Sequence, residues 1–299
     1  MSLLRLAGLA VAAVFSLLGP SAAAEPTFET PIAPEGRPLT ALVTGSTSGL
    51  GREVALRLGA AGAHVIVHGR DRQRGEEVAR EIARLGGSAR FIRADFIDLD
   101  NVRELADTVL AEYEELDLLI NNAGIGGPQE RSESADGHEL TFQVNYLSHF
   151  LLTEELMPLL EAGAPARIIS VASAAQHPID FDDPQIEENY ESWRAYGQSK
   201  LAQITFTKAL AERLEGTGIT TYSLHPETFM PTRMVLEAGI EPQATIEEGA
   251  DNVMRLITDR ENENGAYFNR QEPTDPHEQA LDRVARDRLW TLSEELTRQ

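Results

Sequence analysis

The chain is 299 residues long with 42% hydrophobic and 25% charged residues, enough for one large α/β domain or two small ones. Its formal net charge of −22 makes it a poor partner for nucleic-acid phosphates or an anionic membrane surface. Without cysteine it has no disulfide, no thiolate nucleophile and no cysteine-ligated metal, and Lys200 and Lys208 are its only lysines.

Met1–Arg5 is followed by the apolar run Leu6–Gly19, then Pro20 and Ala22-Ala23-Ala24, the layout of a secretory signal cleaved after Ala24. The run is short against the ~20 residues of a membrane span. Two readings of residues 1–24 stay open: an export signal or anchor, or a non-structural extension. Any membrane contact is expected through this segment alone. Residues 25–38, with Pro26, Pro31, Pro34 and Pro38, read as an extended linker, and 39–299 as the folded domain.

From Leu39 short apolar runs alternate with longer helical ones. Strands are predicted at Thr40–Thr44, His64–His68, Ala89–Ala94, Leu116–Asn121, Ala166–Val171, Ile219–Leu224 and Ala266–Phe268. They are almost continuously apolar, as strands covered on both faces should be. Helices are predicted at Gly51–Ala61, Gln73–Leu85, Asp100–Glu115, Glu139–Leu160, Tyr190–Glu215, Thr245–Thr258 and from His277 to Leu296. Thr245 and Glu248 have the spacing of a capping box. The alternation predicts a single α/β domain: a doubly wound parallel seven-stranded sheet, order 3-2-1-4-5-6-7, with helices on both faces.

The first strand runs into Thr44-Gly45-Ser46-Thr47-Ser48-Gly49-Leu50-Gly51. Glycines there let the backbone turn sharply and bring a helix N-terminus to a pyrophosphate, at the place where such sheets bind dinucleotides. The second strand ends in Gly69-Arg70-Asp71-Arg72. Arg70 suits the extra phosphate of NADP(H), which is therefore favoured over NAD(H), and Asp71 suits a helix cap. Tyr196 and Lys200 stand four apart in a helical run, so both leave one helix face. A phenol of pKa ~10 is a poor acid/base near neutrality, and an ammonium ~4 Å away could lower it by up to ~3 units.

T-G-x-x-x-G-x-G, Asn121-Asn122-Ala123-Gly124 and Tyr196-x-x-x-Lys200 together resemble the short-chain dehydrogenase/reductase family over roughly Leu39 to Leu296. The resemblance implies a Rossmann fold and hydride transfer between a nicotinamide dinucleotide and a small-molecule carbonyl/alcohol pair. It implies a cofactor site of Thr44, Gly45, Ser46, Ser48, Gly49, Leu50, Gly51, Arg70, Asp95, Phe96, Asn122, Ala123, Gly124, Tyr196, Lys200, Pro226 and Thr228, with Asp95 and Phe96 beside the adenine. It further implies Tyr196 as proton donor or acceptor and Ser173 as hydrogen-bond donor to the substrate oxygen. Lys200 would hold the ribose, and Asn145 a water that links the lysine to solvent. The long gap between Ser173 and Tyr196, with Gly265–Phe268 and Leu289-Trp290, is similar to the retinol dehydrogenase and WW-domain oxidoreductase branch. One position departs: Glu227 follows Pro226 where the family has glycine, which puts the cofactor geometry there in question.

Phe229, Met230 and Met234 fall where this fold carries a substrate lid, which suggests an apolar substrate. His64 and His68 read as strand packing, and no metal is expected. The resemblance also implies a homodimer or homotetramer through the helices at Asp100–Glu115 and Glu139–Leu160. A soluble nicotinamide cofactor argues for the cytoplasm against the export-like N-terminus, so the location stays open. So do two rival readings, a non-catalytic dinucleotide sensor or scaffold and an isomerase or dehydratase on the same scaffold.

Overall fold

The computed structural model describes residues 36–258 and 262–298; the N-terminal segment 1–24 and most of the linker lie outside the described residues. The strands are β1 (Thr40–Val43), β2 (His64–Gly69), β3 (Ser88–Arg93), β4 (Leu118–Asn121), β5 (Arg167–Val171), β6 (Thr220–His225), β7 (Tyr267–Asn269) and β8 (Glu272–Pro273). They form one sheet in the order β3-β2-β1-β4-β5-β6-β7-β8. The first seven are parallel, as predicted. The two-residue β8, absent from the prediction, pairs antiparallel with β7 across a turn at Arg270, whose φ is 59°. Pro273 has no N–H to donate, so β8 can sit only at an edge.

The helices are α1 (Gly49–Ala60), α2 (Arg72–Arg84), α3 (Leu99–Glu112), α4 (Leu140–Phe142), α5 (Ser148–Glu155), α6 (Met157–Ala162), α7 (Ser192–Arg213), α8 (Arg233–Glu237), α9 (Ile246–Thr258), α10 (Glu278–Leu281) and α11 (Arg283–Thr297). Strand side chains alternate between two cores. On one face Leu42, Ile66, Leu119 and Ile168 pack with Val102 and Val109 of α3, Phe150 of α5 and Phe206 of α7. On the other, Ala41, Val43, Val65 and Val67 pack with Val54 and Leu58 of α1 and Val253 of α9. Two apolar layers explain why the central strands are almost continuously apolar, while the edge strand β3 carries exposed Ser88 and Arg93.

Asp71 caps α2 by accepting from the Arg74 N–H, as its sequence position suggested. Thr245 and Glu248 form the capping box, with Glu248 accepting from the Thr245 N–H at 2.8 Å and Thr245 Oγ1 from the Glu248 N–H at 3.1 Å. The predicted helix Glu139–Leu160 is not continuous. It passes through a π-helical turn at Gln143–Leu147, between α4 and α5, and breaks again before α6, where Pro158 stands in the first turn. The predicted last helix is also divided, at Asp282, which caps α11.

The C-terminal helix closes the first core. Trp290 meets Phe150 and Phe206 with ring centroids 5.2 and 5.8 Å away, and the Arg213 guanidinium lies 3.8 Å from its ring centroid. Trp290→Ala removes these contacts and leaves a void between α5, α7 and α11. It should cost about 3 kcal/mol of unfolding free energy, read as a lower denaturant midpoint at unchanged slope.

Candidate active site

The glycine-rich turn is built for close approach. Gly45 and Gly49 have φ of 65° and 56°. A Cβ on Gly45 would lie 2.8 Å from Ala123 Cα, and one on Gly51 2.3 Å from Asn122 Nδ2. Ser48 precedes α1 without a side-chain cap bond, so no hydroxyl covers the N–H groups of the first turn. That arrangement fits a pyrophosphate at a helix N-terminus. The Ser46 hydroxyl donates to Val43 O at 2.7 Å and accepts from the His68 N–H, while its own N–H bonds His68 O. Its hydroxyl thus ties the turn to β1 and its N–H ties it to β2.

Thr44 is fully buried at the junction of the turn with β4. Its Oγ1 accepts from the N–H groups of Asn122 and Ala123 at 2.8 and 2.9 Å, and lies 3.1 Å from His149 Nε2. His149 Nδ1 is 2.8 Å from Asn145 O. A carbonyl only accepts, so Nδ1 carries the proton and Nε2 is left an acceptor facing the Thr44 hydroxyl, which also reaches Ile120 O at 3.2 Å.

Asn145 sits in the π-helical turn, where the Ser148 N–H reaches back five residues to Gln143 O. Its Oδ1 accepts from the Ile125 N–H at 2.8 Å, and its Nδ2 donates to Ile125 O and Ser199 Oγ at 3.1 and 2.9 Å. A Cβ on Gly124 would lie 3.3 Å from Asn145 Oδ1 and 3.7 Å from Lys200 Nζ. The ends of β4, the π-turn and α7 therefore converge on one spot.

Tyr196 and Lys200 leave α7 toward that spot. Lys200 Nζ lies 5.6 Å from the Tyr196 ring centroid and donates to Val171 O and Gln203 Oε1, both at 2.9 Å. The Ser173 side chain stands near enough to Tyr196 to favour its ionised form, and Ser173 is buried at the end of β5. Ser170 points away from them, to Thr207 Oγ1. Burial pushes Lys200 down to about 7. It pushes the Tyr196 phenol up, with the Ser173 side chain opposing. The depressed phenol anticipated from the Tyr–Lys spacing is thus not found. The amine faces Val171 and Gln203 instead of the hydroxyl, and losing water disfavours the phenolate.

Arg70 is exposed at the end of β2, and Arg93 of β3 donates from Nε to its carbonyl at 3.1 Å. Neither has a carboxylate partner among the described residues. Asp95 is half-buried nearby, and the Phe96 ring is buried, stacked on His68 at 4.5 Å and edge-on to His149. Thr228 Oγ1 bonds His225 Nε2 at 3.0 Å, and Pro226 O accepts from Asn252 Nδ2. Glu227 turns outward: it accepts from Arg270 Nε at 2.7 Å and from the Thr228 N–H at 2.8 Å. Beyond it, Phe229 is half-buried at φ 47°, and Met234 packs toward Gly126. Met230 is buried in the second core with its sulfur against Gly249, so it lines no pocket. Sequence reasoning passed over Gln203 and His149. Their one signal was polarity at core-facing positions of helices.

Burial also holds two imidazoles neutral, His68 at about 4 and His149 at about 3. Both folded values lie below 6.5, so the unfolded chain binds more protons between pH ~4 and ~6.5, and stability falls as pH drops through that window. Between pH 7 and pH 5 each imidazole should cost about 2 kcal/mol, measured as denaturant midpoints at the two values. His149→Gln should lose its share of that drop; a midpoint difference unchanged in this variant would refute the linkage.

Residues 39–242 match the family model described as short chain dehydrogenase. Over 270 residues the chain is 37% identical to retinol dehydrogenase 12 of Homo sapiens, covering 85% of each chain. It is 45% identical over 192 residues to retinol dehydrogenase 11 of Mus musculus, covering 63% of this chain and 60% of that one. Among solved structures it resembles an uncharacterised protein from Mycobacterium paratuberculosis, with TM-score 0.73 and 31% identity over 87% of this chain and 93% of that one. It also resembles the RhlG/NADP active-site complex of Pseudomonas aeruginosa, with TM-score 0.61 and 31% identity over 73% and 89% of the two chains. The chain is a member of the short-chain dehydrogenase/reductase family, an oxidoreductase acting on CH–OH donors.

Proposed function

We propose that residues 39–299 form a reductase/dehydrogenase that uses NADP(H) on an apolar carbonyl/alcohol pair, with Tyr196 as the acid/base. The observation that carries this reading is the convergence of Tyr196, Ser173, Lys200 and Asn145 beside the glycine-rich turn. A bound dinucleotide supplies the hydride donor or acceptor. The phenol, kept protonated by burial, gives its proton to the carbonyl oxygen during reduction and takes it back during oxidation. The Ser173 hydroxyl donates to the same oxygen and fixes its position. Lys200 supplies positive charge that favours the phenolate once the proton has left, and Asn145 holds the π-turn against Ile125 and Ser199 at the entrance to the lysine.

Arg70 and Arg93, exposed and without carboxylate partners, support a phosphate on the adenine ribose. The apolar substrate is supported by Trp193, whose exposed ring lies 6.1 Å from that of Tyr196, and by Met234, Leu236 and Ile240 on the segment after β6. The names of the retinol dehydrogenase relatives point toward the same class.

Nicotinamide fluorescence titrations of the full chain should show NADPH bound more tightly than NADH. Arg70→Ala should weaken NADPH by ~10–100-fold and leave NADH within ~3-fold. Equal affinity for both, unchanged in the variant, would remove the phosphate reading; binding of neither would remove the dehydrogenase reading.

Consumption of NADPH with all-trans-retinal, nonanal and a ketosteroid as candidate carbonyls tests the chemistry. Tyr196→Phe should lower turnover by ~100-fold or more while NADPH affinity holds within ~3-fold. A Phe variant as active as the parent would exclude Tyr196 as the acid/base.

A further inference from the structure

We propose that Gln203 is a positioning residue that sets the proton affinity of Lys200. This rests on the reading of Tyr196 and Lys200 as the working pair. Lys200 and Gln203 are both buried, three residues apart on α7, with Nζ and Oε1 2.9 Å apart. The amine's other acceptor is Val171 O, also neutral. The titratable groups facing it are Tyr196 on its own helix, His149 from α5 and His225 from β6, and no carboxylate stands against it. His149 offers it nothing, because its Nδ1–H is committed to Asn145 O and its Nε2 to the Thr44 hydroxyl.

Beside the Tyr196 ring at 5.6 Å, two carbonyl dipoles therefore hold a cation in a dry site. One is backbone and cannot be changed by substitution; the other is the Gln203 amide. Its orientation follows from its neighbours. Oε1 must face the amine, since the reversed amide would set N–H donors against an ammonium. Nε2 then lies 3.4 Å from His149 Nδ1, with no hydrogen bond between them because both atoms carry protons, so the amine alone sets the amide's orientation. Toward Gly124, whose missing Cβ would lie 3.7 Å from Nζ, the amine is left open. A neutral partner leaves Lys200 titrating near neutrality, at about 7, where a carboxylate would lock it as a permanent cation.

The two possible changes at position 203 act in opposite directions. Gln203→Leu removes an acceptor and disfavours the ammonium, lowering the lysine midpoint. Gln203→Glu adds an anion and favours it. The chain's two lysines make this directly visible. With 13C-labelled lysine and Lys208→Arg as background, the ε-carbon signal of Lys200 in the full chain is followed against pH. The Leu variant should titrate ~1 unit below the parent and the Glu variant ~1–3 units above it. Midpoints within ~0.3 unit of the parent, or shifts of both variants in one direction, overturn the proposal, since packing damage alone has no reason to separate them. Glutamate matches glutamine in size, so that arm stands even if the Leu variant fails to fold. The readout needs neither dinucleotide nor substrate. Opposite shifts in a chain that reduces no carbonyl would uphold Gln203 and discard the catalytic reading.

Discussion

The Thr44 hydroxyl is the constraint on which the site's geometry depends. It gathers the backbone ends of β4, 78 and 79 residues away, and the imidazole of His149, 105 residues away. Its oxygen has two acceptor sites, both taken by N–H groups, and one proton, which faces both Ile120 O at 3.2 Å and His149 Nε2 at 3.1 Å. A serine could make those bonds, but the fully buried position also packs the methyl group. The glycine-rich turn cannot move relative to Asn122–Gly124 without breaking them, and Gly124 is what Lys200 and Asn145 close upon. The glycine-rich turn, the end of β4 and the face of α7 that carries Lys200 are therefore tied to one junction.

At that junction burial acts on the two key groups in opposite senses. It drives the lysine down toward neutrality and the tyrosine up, so an amine near its midpoint stands beside a neutral phenol. Neither is a defect. A protonated phenol is what reduction of a carbonyl consumes, and an amine near its midpoint can accept or release a proton at little cost. The tuning comes from removing water and supplying only neutral acceptors, without any carboxylate near the amine.

The sheet was legible because its causes are local. Strands covered on both faces are apolar throughout, the glycines of the turn have positions that no other residue fits, and Tyr196 and Lys200 share a face by helical spacing alone. What was not legible depends on partners distant in sequence. The π-turn at Gln143–Leu147 leaves no mark on apolar periodicity, yet it presents Asn145 to Ile125. Met230 looks like a lid residue until α9 brings Gly249 against its sulfur. Phe96 looks free to face an adenine until His68 and His149 enclose its ring. Ser46 has a ligand's chemistry but turns it to Val43 of β1 and His68 of β2. In each case the fold itself holds a side chain that the sequence alone offers to a ligand.

Glu227 shows the opposite relation, a sequence departure that the structure absorbs. Read alone, a carboxylate in place of glycine beside the cofactor site looks like an obstruction. Its ion pair with Arg270 carries the charge away toward the β7–β8 hairpin, and the Thr228 N–H takes part of the same oxygen. Arg270 can reach it because the hairpin turns there at positive φ, and that turn is what creates β8. The unpredicted eighth strand and the unexpected glutamate are thus two halves of one arrangement. With the side chain only 12% exposed at one end and Arg270 54% exposed at the other, the pair sits on the rim. There it fastens the segment that carries Phe229 and Met234 to the sheet edge without placing a charge inside the pocket.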